Sequence, residues 1–159
     1  MQKNRVNWVI DAQAGTFSAG PSETSSEAES STQKISNGAK TVSCAGCSGA
    51  SEIGYIGCSN AGTLTFPAIS STVDATTSIR VHYTNGDSKQ RYANVIVNGV
   101  TKLVAFVPTD GDRSPKTSVL TVPLKSGNAN SIRFEGYNGD CGKLLCLPII
   151  LRFILTHVF

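Results

Sequence analysis

The chain has 159 residues, a net charge of +3 and only 16 % charged residues. That length suits one domain with a real core, and its singly scattered Lys and Arg give no stripe to track phosphates, so no nucleic-acid partner is expected. The apolar stretch near the N-terminus is broken by Asn7 and Asp11, which does not fit a signal peptide, yet five cysteines and many Ser, Thr and Gly residues suit an extracellular protein.

In chain order, residues 18–33 (SAGPSETSSEAESSTQ) read as a Ser-rich linker into a domain, so residues 1–26 form an N-terminal extension. The run SCAGCSG then brings Cys44 and Cys47 together at C-x-x-C spacing. The spacing allows a redox pair, half of a zinc site, or a small disulfide staple. A redox pair should open a helix, whose N-terminus lowers the thiol pKa, but Ser48, Gly49, Ala50 and Ser51 lead into a strand. Zinc needs two further ligands, and Cys58, Cys141, Cys146, His82 and His157 offer them without a finger spacing.

From there on, short β-branched and aromatic runs recur between Gly, Asn, Asp and Pro. In TTSIRVHYTNGD, Ile79, Val81 and Tyr83 alternate with Arg80 and His82, which predicts a half-buried strand. RYANVIV and VTKLVAFV flank Asn98-Gly99, the pair best suited to positive φ at both centres of a two-residue hairpin turn. SVLTVPL and NSIRFEGY point Leu120, Val122, Leu124, Ile132 and Phe134 inward, and Pro123 suits an edge strand or bulge. No segment shows a convincing helical period. The fold class is all-β, a sandwich or barrel.

The ordered runs EAESSTQKISNGAKTVSCAGCSG, IGYIG, GTLTF, IRVHYTNGDSKQRYANVIVNG, VAFVPTDG and LTVPLKSGNANSIRFEGYNG resemble fungal carbohydrate-binding modules of family 35, relatives of family 6. The resemblance covers residues 27 to about 139. It implies a jelly-roll β-sandwich of the galactose-binding-domain-like type over residues 27–141, with a structural calcium and a polysaccharide or oligosaccharide held in loops at one end. Such modules are non-catalytic and secreted, and are covalently linked to a glycoside hydrolase domain.

On this resemblance Glu27 and Glu29 match the opening E-A-E that binds calcium, and two carboxylates on one face of an extended strand suit an oxygen-seeking ion. The same resemblance implies that Cys44 and Cys47 form a disulfide. Sugar sites pair an aromatic face with planar polar groups, which makes Tyr55, Asn85, Asp87, Arg91, Tyr137 and Asn138 the candidate contacts. Each has a plainer role: Tyr55 as a core aromatic, Asn85 and Asp87 as turn residues, Arg91 as a surface partner of Asp87. Tyr137 and Asn138 lie where family members place ligand contacts.

The resemblance stops after Gly139. The family closes with a Trp-containing loop and a strand opened by an Asp that completes the calcium site, whereas residues 142–159 form an atypical apolar tail without Trp or Asp. Gly142-Lys143-Leu144 can be encoded across a splice donor, so the tail reads as translated intron, or else as a divergent last strand containing PIILRFIL. Its apolar run is short for a membrane span, so membrane attachment is disfavoured. An enzyme reading would need two carboxylates about 5 to 9 Å apart from Asp87, Asp110, Asp112, Glu135 and Asp140. The alternatives to a free-standing module are a fragment of a glycoside hydrolase such as an α-galactosidase, and an anchored surface protein.

Overall fold

The computed structural model describes residues 23–57, 62–109, 114–137 and 150–154. Eleven strands fill them: β1 (Glu23–Glu27), β2 (Lys34–Ser36), β3 (Lys40–Ser43), β4 (Ser51–Gly54), β5 (Thr63–Ser71), β6 (Ala75–Tyr83), β7 (Arg91–Val97), β8 (Val100–Phe106), β9 (Lys116–Leu124), β10 (Gly127–Gly136) and β11 (Ile150–Ile154). The one helical turn among them is a 3₁₀ turn at Ser48–Ala50. One sheet runs β1-β11-β6-β9, the other β2-β5-β10-β7-β8, and β3 and β4 form a separate ribbon. Every strand pair among the described residues is antiparallel.

Period-two alternation explains how the two large sheets face each other. Ile79, Val81 and Tyr83 from β6 and Leu120, Val122 and Leu124 from β9 are buried against Val95 and Val97 of β7 and Ile132 and Phe134 of β10. Phe66 meets Phe134 edge to face at 6.1 Å, and Tyr83 meets Phe106 at 4.9 Å. Such aromatic pairs favour tilted geometry because ring edges are positive and ring faces negative. Asn98 and Gly99 have φ of 50° and 86°, and Val97 pairs with Val100 across them, as a two-residue hairpin requires. Pro123 stands on β9, an edge of its sheet, where a missing donor is tolerated.

The strands reach past both ends of the 27–141 span. Glu23–Glu27 lies within the Ser-rich stretch that composition marks as linker, yet it forms β1 because β11 offers it a backbone partner, with Glu27 opposite Ile150. On its other side β11 pairs with β6, Leu151 opposite Val81. The PIILRFIL segment thus supplies the strand that joins β1 to the rest of its sheet. No helix among the described residues is long and apolar enough to cross a membrane.

Candidate functional site

The register brings most of the sequence-predicted residues to one end of the sandwich. There β1 ends at Glu27 and β6 at Tyr83, β7 begins at Arg91, and β10 ends at Gly136 opposite Ala93. The loop after β4 joins this end through a backbone contact between Gly57 and Gly136.

On one flank stand two carboxylates. Ala28 is 1 % exposed and packs in the core, while Glu27, the last residue of β1, and Glu29, in the turn that follows, are half-buried. Burial pushes the Glu29 carboxyl above its ordinary pKa. A backbone N–H opposes this, the Glu27 charge adds to it, and the Ser51 hydroxyl, 3.4 Å away, opposes it in turn. Partial desolvation and the neighbouring Glu27 charge both favour the neutral form of Glu29. The closing-strand position opposite Glu27 is Ile150, where the family pattern would bring an Asp close.

Just beyond β6, Asn85 is fully buried and ties two segments together. Its Nδ2 donates to the carbonyls of Lys89 at 3.0 Å and Phe106 at 2.9 Å, and its Oδ1 accepts from the Asp87 N–H at 3.1 Å. Its backbone N–H and carbonyl both engage Thr109. Both amide hydrogens are therefore bonded within the protein, and the side chain has no face open to a ligand. Arg91 does pair with Asp87, at 2.7 Å, but its own side chain is only 7 % exposed, while that of Asp87 is 32 % exposed. The alternation that buries Ala93, Val95 and Val97 also turns Arg91 inward. Arg91 holds the Asp87 carboxyl below the usual carboxylate range, helped by the Ser88 N–H.

The outer flank carries aromatic surface. Tyr137 lies beside Tyr92, with ring centroids 6.3 Å apart and planes tilted by 58°. Tyr92 is 38 % exposed, and its hydroxyl accepts from Gln90 Nε2 at 2.7 Å. Asn94 follows on the same face of β7 and donates to the Gly136 carbonyl at 3.5 Å. Tyr92 is not among the candidates that residue type suggests, although its alternation with buried Ala93, Val95 and Val97 turns it outward. Tyr55 is half-buried rather than a core residue. It holds a φ of 65°, and the Lys40 ammonium sits 4.5 Å from its ring centroid. Asn138 lies outside the described residues.

Cys44 and Cys47 form a disulfide. Next to it Glu52 is buried, accepting from the Thr84 hydroxyl at 3.1 Å, with the Cys47 sulfur 3.6 Å away. Of the acids considered for hydrolysis, Asp87 is paired with Arg91 and Glu135 with Arg133 at 3.0 Å. Asp110, Asp112 and Asp140 lie outside the described residues, as do Cys58, Cys141 and Cys146.

A two-sheet jelly roll with an aromatic flank at its loop end is the architecture of a carbohydrate-binding module, a non-catalytic class of domain. The chain belongs to the CBM13-like family, described as the CBM13 domain of alpha-galactosidase, whose model matches residues 63–144, just over half of it. Among solved structures it is similar to an exo-β-1,3-galactanase from Phanerochaete chrysosporium in complex with galactose. That match has 30 % identity over 82 % of this chain and a TM-score of 0.70, but this chain spans only 29 % of the galactanase. A family 35 module from Clostridium thermocellum matches at 26 % identity and a TM-score of 0.73, over 82 % of this chain and 98 % of the module. The family 35 module of Cellvibrio japonicus Abf62 shares the fold, with a TM-score of 0.70 at 15 % identity over 86 % of this chain and 95 % of that one. The family 35 resemblance read from the sequence therefore agrees with the structural matches. No curated protein matches the chain.

Proposed function

We propose that this module binds a galactose-containing glycan on the Tyr92–Tyr137 flank, as a calcium-stabilised, secreted appendage of a glycoside hydrolase. The observation that carries the reading is the tilted tyrosine pair, 6.3 Å between centroids, at the loop end. One ring can pack on the C–H face of a pyranose while the other borders it, and Asn94 and Gln90 offer amides to its hydroxyls. Galactose is favoured because the family model is named for alpha-galactosidase and the galactanase structure contains galactose.

Glu27 and Glu29 would hold the calcium, a hard ion that takes carboxylate oxygens and supplies fixed positive charge. The partial burial of Glu29 beside the Glu27 charge is consistent with such an ion. Ile150 opposite Glu27 removes a carboxylate from the expected set, so the affinity should be modest. A disulfide suits an oxidising compartment.

The test is retention of the purified chain on β-1,3-galactan, galactomannan and xylan, with calcium and with chelator. Retention on the galactose-bearing polymers that weakens with chelator supports the reading. Retention on xylan alone overturns the sugar assignment, and indifference to chelator overturns the calcium.

A further inference from the structure

The Cys44–Cys47 turn holds three metal-binding groups together: both sulfurs and a Glu52 carboxylate oxygen lie within 4.8 Å of one another. Cys44 and Glu52 are each 1 % exposed, while Cys47 is half-buried and open to approach. The S–S bond is not the sole cause of this placement. Within the turn, Cys47 N donates to Cys44 O at 3.2 Å, Ala50 N to Cys47 O at 3.1 Å, and Cys44 N to Ala50 O at 3.0 Å. Behind it β3 and β4 pair, with Ser43 opposite Ser51 and Val42 opposite Glu52. This backbone frame thus holds the turn, whose cysteine Cα atoms are 5.4 Å apart, beside the Glu52 strand through bonds that do not involve the sulfurs.

We propose that, once the Cys44–Cys47 bond is reduced, the two thiolates and the Glu52 carboxylate form a site for a thiophilic divalent cation such as zinc or cadmium. Two molecules of a thiol reductant supply the two electrons, break the S–S bond and leave as their own disulfide. The cation then displaces one proton from each cysteine thiol and takes Glu52 as its third protein ligand, with one position left for water. C-x-x-C is the spacing by which one turn gives zinc two sulfurs, and three protein ligands with an open fourth position is a known zinc arrangement. Thiolates select zinc or cadmium over calcium, which seeks oxygen, so this site and the Glu27–Glu29 pair would not compete for one ion. The oxidised pair offers no thiolate, so the site exists in one redox state only. It does not depend on the sugar-binding reading.

The experiment is a cadmium titration of the full chain, oxidised and after reduction with a phosphine, following the ultraviolet thiolate-to-cadmium band. The reduced chain should gain a cadmium equivalent that excess calcium does not displace. Cys44→Ser should lose that equivalent, and Glu52→Gln should weaken it at least ~10-fold. Cys58, Cys141 and Cys146 also carry thiols in the reduced chain. If Cys44→Ser and Glu52→Gln leave stoichiometry and affinity unchanged, the metal sits on those residues and the proposal is wrong. Should Glu52→Gln fail to fold, Glu52→Asp, which holds its carboxylate one methylene short, must still lower the affinity.

Discussion

Gly57 and Gly136 meet backbone to backbone: a Cβ on Gly57 would fall 2.3 Å from the Gly136 Cα, and one on Gly136 would fall 2.4 Å from the Gly57 Cα. Gly57 also has a φ of 78°, a left-handed value that disfavours any side chain. Through this contact the loop carrying Tyr55 is docked on the strand end carrying Tyr137. Gly136→Ala should therefore cost at least about 2 kcal/mol in chemical denaturation, because neither backbone can yield to a methyl group. It should also weaken glycan retention by displacing Tyr137. Unchanged stability would mean that the two segments do not pack this way.

Tyr92→Ala and Tyr137→Ala should each weaken glycan binding by about 1 kcal/mol, roughly fivefold. Tyr92 is more than a third exposed, so its removal should leave the melting temperature nearly unchanged. Isothermal titration with a galactose oligomer, set beside thermal melts, separates the two effects. Full affinity in both variants would move the sugar site elsewhere.

Asn85 and Asn130 latch opposite ends of the sandwich. Asn130, 2 % exposed, donates to the carbonyls of Ile69 and Lys125 and accepts from Lys125 N–H and Asn98 Nδ2. Alanine at either position leaves buried backbone groups without partners and should cost about 2–3 kcal/mol. Only Asn85→Ala should also reduce glycan binding, since the loops it ties lie at the aromatic end. Equal loss of binding in both variants would point to general unfolding.

The raised pKa of Glu29 gives a sign to the calcium reading. A carboxyl whose folded pKa exceeds its unfolded value favours folding below the unfolded value, and that contribution is lost as pH rises through the folded pKa. In chelator, the wild type should therefore lose stability relative to Glu29→Gln as the pH is raised from about 4 to 7. With calcium the order should reverse at pH 7, because the ion needs the carboxylate. Thermal melts of both proteins at these two pH values, with and without calcium, check it. Asp87, held low by Arg91, contributes the opposite slope, but equally in both proteins, so it cancels in the difference.

Deleting residues 150–159 should separate β1 from β6 and leave an unpaired edge where β11 stood. An exposed edge invites association, so the truncated chain should elute as oligomers or precipitate. A monomeric, fully stable truncation would mean that β11 contributes nothing to the fold. Sequencing the transcript across codon 142 tests the intron reading directly, for a mature message that retains those codons excludes it.

The alternation in residues 76–83 and 118–134, with the Asn98-Gly99 turn, made the all-β fold legible, because side-chain direction along a strand depends only on local backbone geometry. Glu29, by contrast, falls in the turn after β1 rather than on the strand with Glu27, so the strand rule does not place that pair. Partners distant in sequence are another matter. That Ser-rich Glu23–Glu27 is a strand depends on β11, 123 residues later by the Glu27–Ile150 pairing. That Arg91 is buried, that Asn85 is a latch and that Tyr92 stands beside Tyr137 follow from how sheets and loops close on each other. Residue type and spacing thus determined the strands of the alternating runs, the hairpin and the list of chemically able side chains. Tertiary packing decided which of those side chains are already engaged inside the protein and which remain free to meet a sugar.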